Sequence, residues 1–119
     1  MNNQLPNNVP QNIKNAINDF VLQVNKNFGN SIKIIYLYGS YARGDFRNDS
    51  DIDIMILTDF TDEEILENRD KIYELAYDIE EKYNFDIWIS PLVKNIDKFK
   101  EKLEYSFFYE NVKKDGIVI

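Results

Sequence analysis

The chain has 119 residues, a formal net charge of −7, and 44% hydrophobic and 14% aromatic side chains. This length favours a single domain over residues 1–119, and the apolar share excludes a globally disordered chain. The acidic balance argues against a protein that coats nucleic acid, so we expect no direct nucleic-acid binding.

The sequence contains no cysteine and no histidine. Disulfide and thiolate chemistry are therefore excluded, and a general base must be a carboxylate, a lysine or a tyrosine. A bound metal would have oxygen ligands, which favours Mg²⁺, Mn²⁺ or Ca²⁺ over zinc. No stretch approaches the roughly 20 apolar residues of a membrane span, so we expect a cytoplasmic protein with no membrane partner.

The first half of the chain predicts one helix and two strands. Residues 1–9 are rich in Asn, Gln and Pro, and we expect them to fray. Apolar residues at helical spacing predict a helix over about 10–28, which Gly29 ends. Apolar runs predict strands over 31–38 and 51–58, and the second strand should be central in its sheet.

The second half adds four elements: a helix from Thr61 to about Tyr83, a strand over 85–90, a helix over 96–114 with a break near Tyr105, and a short edge strand over 117–119. Thr61 and Glu64 have the spacing of a capping box, and Pro91 is expected to close the third strand. The fold class is α+β: a small mixed sheet of three or more strands packed with helices, in the order α-β-β-α-β-α.

Polar and acidic residues should collect at one rim of this sheet. Strand side chains alternate between faces, so Asp51 and Asp53 point the same way. The short connection makes the first two strands antiparallel, and the long helix makes the next two parallel. This topology brings the end of strand one, with Gly39 and Ser40, beside the two aspartates and the start of strand three at Asp86.

These residue types fit nucleotidyl transfer. Two close carboxylates repel each other, and a divalent cation removes the repulsion. A glycine beside Ser40 allows backbone N–H groups and the hydroxyl to approach a phosphate. Three carboxylates with two metal ions can activate an attacking hydroxyl and stabilise the leaving pyrophosphate.

The motif resembles that of the polymerase-β-type nucleotidyltransferases. It comprises Gly39 and Ser40, ten intervening residues, Asp51-Ile52-Asp53, and a later carboxylate at Asp86. The fuller form, GSYARG followed by SDIDIMIL, is similar to the single-domain branch, the minimal nucleotidyltransferases. The resemblance covers most of the chain and implies the nucleotidyltransferase fold.

The resemblance also implies a role for each residue of the motif. Asp51 and Asp53 would be metal ligands, and Asp86 would be the third ligand and the general base. Gly39, Ser40 and Arg43 would bind the nucleotide, with Ser40 on the β- and γ-phosphates and Arg43 on the triphosphate. The implied cofactor is Mg²⁺, as two ions with Mn²⁺ as an alternative, and the implied substrate is ATP.

Minimal members resemble the antitoxin half of two-gene systems whose partner is a HEPN-domain ribonuclease toxin. The resemblance implies transfer of AMP from ATP to a tyrosine of that toxin (AMPylation), within a homo- or hetero-oligomer that the sequence does not define. Two alternatives stay open. One is a small-molecule acceptor of the aminoglycoside type, and the other is an antitoxin that blocks its toxin sterically without catalysis.

Several residues near the motif have more than one possible role. Arg47 balances local acids or contacts phosphate, and Trp88 is expected to pack beneath the site. Aromatic residues on the first strand and after it are expected in the core or at an interface, with base stacking as the alternative: Tyr36, Tyr38 and Tyr41. Four aromatic residues near the end cannot all face inward on one helix, which leaves some for a partner interface: Tyr105, Phe107, Phe108 and Tyr109.

Overall fold

The computed structural model describes residues 5–119 and confirms the α+β class. The helices are α1 (Gln11–Phe28), α2 (Ser40–Arg43), α3 (Asp62–Lys82), α4 (Ile96–Lys102) and α5 (Phe107–Asp115). The strands are β1 (Ile32–Tyr38), β2 (Ile52–Thr58), β3 (Ile89–Asn95) and β4 (Ile117–Val118). Three details differ from the order α-β-β-α-β-α: the short helix α2 follows β1, the last helix is divided into α4 and α5 at the predicted break, and the edge strand predicted over 117–119 adds β4 at the end.

The four strands form one mixed sheet in the order β3-β2-β1-β4. The pair β1 and β2 is antiparallel, and β2 and β3 are parallel, as the lengths of their connections predict. The register places Tyr38 opposite Asp53 and places Asp53 beside Ser90. The end of β1 and the starts of β2 and β3 therefore meet at one rim of the sheet.

Both faces of β2 are covered, which explains its almost uninterrupted apolar sequence. Ile52, Ile54 and Ile56 point into a core cluster shared with α1 and α3. Met55 and Leu57 point to the opposite face, into a smaller cluster that includes residues of α4 and α5. Strand alternation places Asp53 on the Met55 face, so the site lies on the side of the sheet that α5 covers.

Helix α3 begins at the predicted capping box. The Thr61 hydroxyl accepts a hydrogen bond from the Glu64 backbone N–H at 3.2 Å, and the Glu64 carboxylate accepts one from the Thr61 backbone N–H at 3.1 Å. The helix has 21 residues and buries only one face. Within residues 5–119, no helix is both long and apolar enough to cross a membrane.

The N-terminal segment differs from the prediction that it frays. Leu5 and Val9 are buried in the larger core cluster, and the Asn8 amide donates to the Gly44 carbonyl at 2.9 Å. Apolar contact outweighs the polar composition of this stretch. Residues 1–4, the rest of the segment predicted to fray, lie outside the described residues.

The third strand was predicted in the wrong place. It begins at Ile89 rather than residue 85 and continues through Pro91 to Asn95. Asn84 and Phe85 have left-handed backbone angles, with φ of 59° and 58°, because the chain reverses direction directly after α3. Pro91 does not close the strand, because β3 is an edge strand of the sheet, where a missing N–H is tolerated.

Candidate active site

Gly39 links β1 to α2 in a conformation that other residues rarely adopt, with φ of 76° and ψ of −155°. A Cβ atom at this position would collide with the Oδ2 atom of Asp53. The absence of a side chain at Gly39 therefore allows the Asp53 carboxylate to lie directly against the turn that leads into Ser40.

The Gly39–Ser40 turn is held by local backbone hydrogen bonds. The Gly39 carbonyl accepts from the N–H groups of Ala42 and Arg43, both at 3.1 Å. The buried Tyr41 anchors α2 through a stacked contact with Phe46, with ring centroids 4.6 Å apart. The turn is thus fixed beside Asp53, in the position where the sequence predicts a phosphate contact.

Asp53 lies within β2, Asp51 lies one residue before it, and the charge of Asp51 acts on the Asp53 carboxyl. Burial raises the pKa of the Asp53 carboxyl, the negative charge of Asp51 raises it further, and the guanidinium of Arg43 acts against both by lowering it. Asp51 is exposed and Asp53 is partly buried. A pair of carboxylates with this mutual repulsion fits a divalent cation, which would neutralise both charges.

Tyr38 lies across the strand pair from Asp53 and is also affected by it. Burial and the Asp53 charge raise the pKa of the Tyr38 hydroxyl to about 12. The hydroxyl therefore stays protonated and neutral beside the acidic pair at physiological pH. The sequence predicts a core or interface role for this residue, with base stacking as the alternative, and the structure places it at the edge of the site.

Asp86 does not complete a preformed cluster with the other two carboxylates. It is exposed and lies in the loop before β3, three residues ahead of Ile89, which pairs with Ile52. No group of three acidic side chains within residues 5–119 converges closely enough to hold a metal ion. Trp88, expected beneath the site, precedes β3 and is 45% exposed. Both residues belong to the same rim of the sheet, but neither lies on a strand.

The two arginines of the motif lie at the end of α2 (Arg43) and in the loop between α2 and β2 (Arg47). The Arg43 Nε atom lies 3.3 Å from the Asp45 carboxylate, and both side chains are exposed. The Ser50 hydroxyl accepts a hydrogen bond from the Arg47 backbone N–H at 2.8 Å, as expected of a turn residue. Arg43, through its effect on Asp53, is the arginine that the structure brings to the carboxylates.

A cleft that the sequence does not predict lies beside this turn. It has a volume of about 240 Å³, and one wall belongs to β1 and α2 while the other belongs to α5. The residues that line it are Tyr38, Gly39, Arg43, Phe108, Asn111, Val112 and Asp115. Phe108, Asn111 and Val112 have the spacing of one helix face, which the sequence contains, but only the packing of α5 shows that this face meets Gly39.

The rim thus holds a glycine turn, two neighbouring carboxylates whose charges repel each other, and an arginine. Comparison with known proteins identifies the family. Residues 20–119 match the family described as "Polymerase beta, Nucleotidyltransferase". The chain belongs to this family and is a nucleotidyltransferase.

Relatives at the level of sequence carry the name protein adenylyltransferase. One from Methanocaldococcus jannaschii, MJ0604, is 34% identical over 108 residues, which are 91% of this chain and 98% of that protein. A second from the same organism, MJ0141, is 32% identical over 94 residues, which are 79% of this chain and 86% of that protein. The similarity therefore extends over nearly the whole length of both proteins in the first case.

Two solved structures share the fold. A nucleotidyltransferase from Sulfolobus solfataricus aligns with a TM-score of 0.52 and 18% identity, covering 94% of this chain and 88% of that one. A chain of a toxin–antitoxin structure with AMP-PNP aligns with a TM-score of 0.51 and 22% identity, covering 83% of this chain and 68% of that one. At these identities the comparison establishes the fold.

Proposed function

We propose that the chain is a Mg²⁺-dependent protein adenylyltransferase that transfers AMP from ATP to a tyrosine hydroxyl of a partner HEPN-domain ribonuclease toxin, and so acts as an antitoxin. The observation that carries the transferase part is the Asp53 carboxylate against the Gly39 turn, with the charge of Asp51 acting on it. The adenylyl group and the protein acceptor rest on the names of the sequence relatives. The toxin partner rests on the toxin–antitoxin structure of the same fold.

In this reaction the acceptor hydroxyl oxygen attacks the α-phosphorus of ATP. A new O–P bond forms, the bond from the α-phosphorus to the bridging oxygen breaks, and pyrophosphate leaves with the electron pair. The proton of the hydroxyl passes to a carboxylate, for which Asp86 is the proposed base. Its exposed position on the rim leaves it accessible to an acceptor that arrives on another protein.

The other residues bind and orient. Ser40 and the Gly39 turn would hold the β- and γ-phosphates, and Arg43 would balance the charge of the triphosphate. Asp51 and Asp53 would hold Mg²⁺, with Asp86 completing the set when nucleotide is bound. The metal would supply charge neutralisation at the phosphates and would lower the pKa of the attacking hydroxyl.

The test combines ATP labelled at the α-phosphorus, Mg²⁺, the protein and an extract of its source organism. We expect one protein band to take up label, and the Asp51→Ala/Asp53→Ala variant to give none. Asp59→Ala is the matched control, because Asp59 lies at the opposite end of β2 in an exposed ion pair with Lys33 at 3.7 Å. Asp86→Asn should bind ATP but transfer label slowly.

The outcomes separate the alternatives. Label on a small molecule would establish an acceptor of the aminoglycoside type and contradict the protein acceptor. The steric alternative predicts a different result. The Asp51→Ala/Asp53→Ala variant would bind and neutralise the partner as well as wild type does, and no label would be transferred. Transfer of label from the γ-phosphorus to a protein would indicate phosphorylation instead.

A further inference from the structure

We propose that the cleft between Gly39 and α5 is the subsite for the nucleobase, with Phe108 stacking on the base and Asn111 selecting adenine. This inference rests on the proposed function, because it assumes that a nucleoside triphosphate occupies the Gly39 turn. It assigns a specificity role to α5, a helix that lies outside the glycine and aspartate motif.

The cleft lies next to the proposed triphosphate site. It is bounded by Gly39 and Arg43, the residues proposed to hold the triphosphate. An occupant covalently joined to a triphosphate at this turn would therefore extend into it. The volume of about 240 Å³ lies below the roughly 300–1,000 Å³ of pockets that enclose a drug-sized ligand, so the cleft fits part of a nucleotide rather than all of it.

The cleft has an aromatic side formed by Phe108. Phe108 is 46% exposed, so part of its ring remains available for contact in the cleft. The Tyr38 ring meets it edge-on, with centroids 5.7 Å apart and planes at 81°, and Tyr109 packs against it at 5.6 Å. Two neighbours thus hold the ring in place, and a positioned aromatic ring is a platform on which a nucleobase stacks.

The cleft also has an uncharged polar side chain, that of Asn111. Asn111 lies three residues after Phe108 on the same face of α5, so its amide borders the cleft next to the ring. An amide offers one acceptor and a pair of donors on one planar group. Adenine presents an amino group beside a ring nitrogen, which a single asparagine can pair with in a bidentate manner, whereas guanine presents a carbonyl oxygen instead of the amino group.

The same cleft could receive the ring of an acceptor tyrosine, and the geometry favours the base. An acceptor hydroxyl must reach the α-phosphorus beside Asp51 and Asp53, and Asp51 is exposed to solvent at the rim. An acceptor on another protein can approach from that open side. The cleft lies instead between the sheet and α5 and is bounded by Gly39 and Arg43, which favours an occupant joined to the triphosphate.

The experiment measures equilibrium binding of ATP, GTP and inorganic tripolyphosphate in Mg²⁺ to the full chain, by calorimetry. Phe108→Ala should weaken ATP binding by roughly tenfold, in the range expected for loss of one stacking contact, and leave tripolyphosphate binding unchanged. Asn111→Ala should reduce the preference for ATP over GTP by roughly tenfold. Phe107→Ala is the matched control, because this neighbouring ring is 86% exposed and lies outside the cleft.

The binding results separate the proposed function from the proposed subsite. If wild type binds neither ATP nor tripolyphosphate, both the proposed function and the subsite are wrong. If wild type binds ATP but Phe108→Ala and Asn111→Ala both leave its affinity and base preference unchanged, the subsite is refuted while the proposed function stands. If the two variants alter only the KM for the protein acceptor, the cleft is an acceptor site and the inference is wrong. Because Asn111 is exposed, its variant should fold even if Phe108→Ala does not.

Discussion

Replacement of Gly39 by alanine tests the geometric basis of the site. The backbone angles of Gly39 lie in a region nearly exclusive to glycine, which costs another residue on the order of 1–3 kcal/mol. The added methyl group would also collide with the Asp53 carboxylate, and such overpacking typically costs about 1–3 kcal/mol more. We therefore expect Gly39→Ala to lower the free energy of unfolding by about 2–6 kcal/mol and to abolish nucleotidyl transfer.

Two further variants separate the backbone cost from the collision. Gly29 also has a positive φ, 52°, but nothing lies within 4 Å of a Cβ built there. Gly29→Ala should therefore lose stability through backbone strain alone and keep nucleotide binding. In an Asp53→Ala background the collision partner is gone, so Gly39→Ala should be less costly there than in wild type, by roughly 1–3 kcal/mol.

The assay is urea denaturation, followed by the fluorescence of Trp88, of wild type, Gly39→Ala, Asp53→Ala and the Gly39→Ala/Asp53→Ala double variant. The double-mutant cycle reports the coupling between Gly39 and Asp53 directly. Equal costs of Gly39→Ala in the two backgrounds would refute the reasoning, because the carboxylate would then not lie against the glycine. Retained transfer activity in a stable Gly39→Ala variant would refute the need for their close approach.

Two smaller predictions concern the scaffold. Thr61→Ala removes half of the capping box with Glu64 and should cost about 1 kcal/mol of unfolding free energy in urea denaturation, whereas a cost near zero would show that α3 does not need its cap. Asp19 accepts hydrogen bonds from Lys82 and Tyr83, both at 2.8 Å, and the pKa of its carboxyl is lowered, chiefly by Lys82. A carboxyl whose pKa is lower in the folded state stabilises the fold at pH values above its unfolded-state pKa, and this stabilisation is lost as the pH falls through the folded-state pKa. The loss of unfolding free energy in Asp19→Asn should therefore be constant from about pH 5 to pH 8 and shrink below about pH 4. A deficit that persists in acid would contradict this origin.

Much of the site could be predicted from local sequence. The period-two alternation predicted for residues 51–58 separates Asp53 from Ile52, Ile54 and Ile56, and the buried face of the three isoleucines is confirmed. Asp51, predicted at the start of the strand, lies one residue before β2. The alternation of side chains between two faces is a property of a single extended strand, so it can be predicted without knowing which strands pair. The short β1–β2 connection likewise fixed their antiparallel pairing and brought Gly39 beside Asp53.

The start of β3 could not be predicted from local preference. Phe85, Ile87 and Trp88 are residues common in strands, so the sequence around Asp86 resembles one. The structure instead forms a left-handed turn there, in which the Phe85 N–H donates to the Glu80 carbonyl at 2.8 Å, and the Ile89 N–H donates to the Glu80 carboxylate at the same distance. The need to reverse the chain after a long helix outweighed strand preference, and Asp86 was left in a loop.

The sequence by itself determined the class of the protein, because the glycine turn and the two aspartates lie close together along the chain and obey strand periodicity. Only the tertiary structure decided what surrounds them. Phe108 and Asn111 lie far along the chain from Gly39, and no local pattern indicates which face of α5 will meet it. That contact depends on how α5 packs over β1 through residues such as Val112, which is a property of the whole core rather than of any segment.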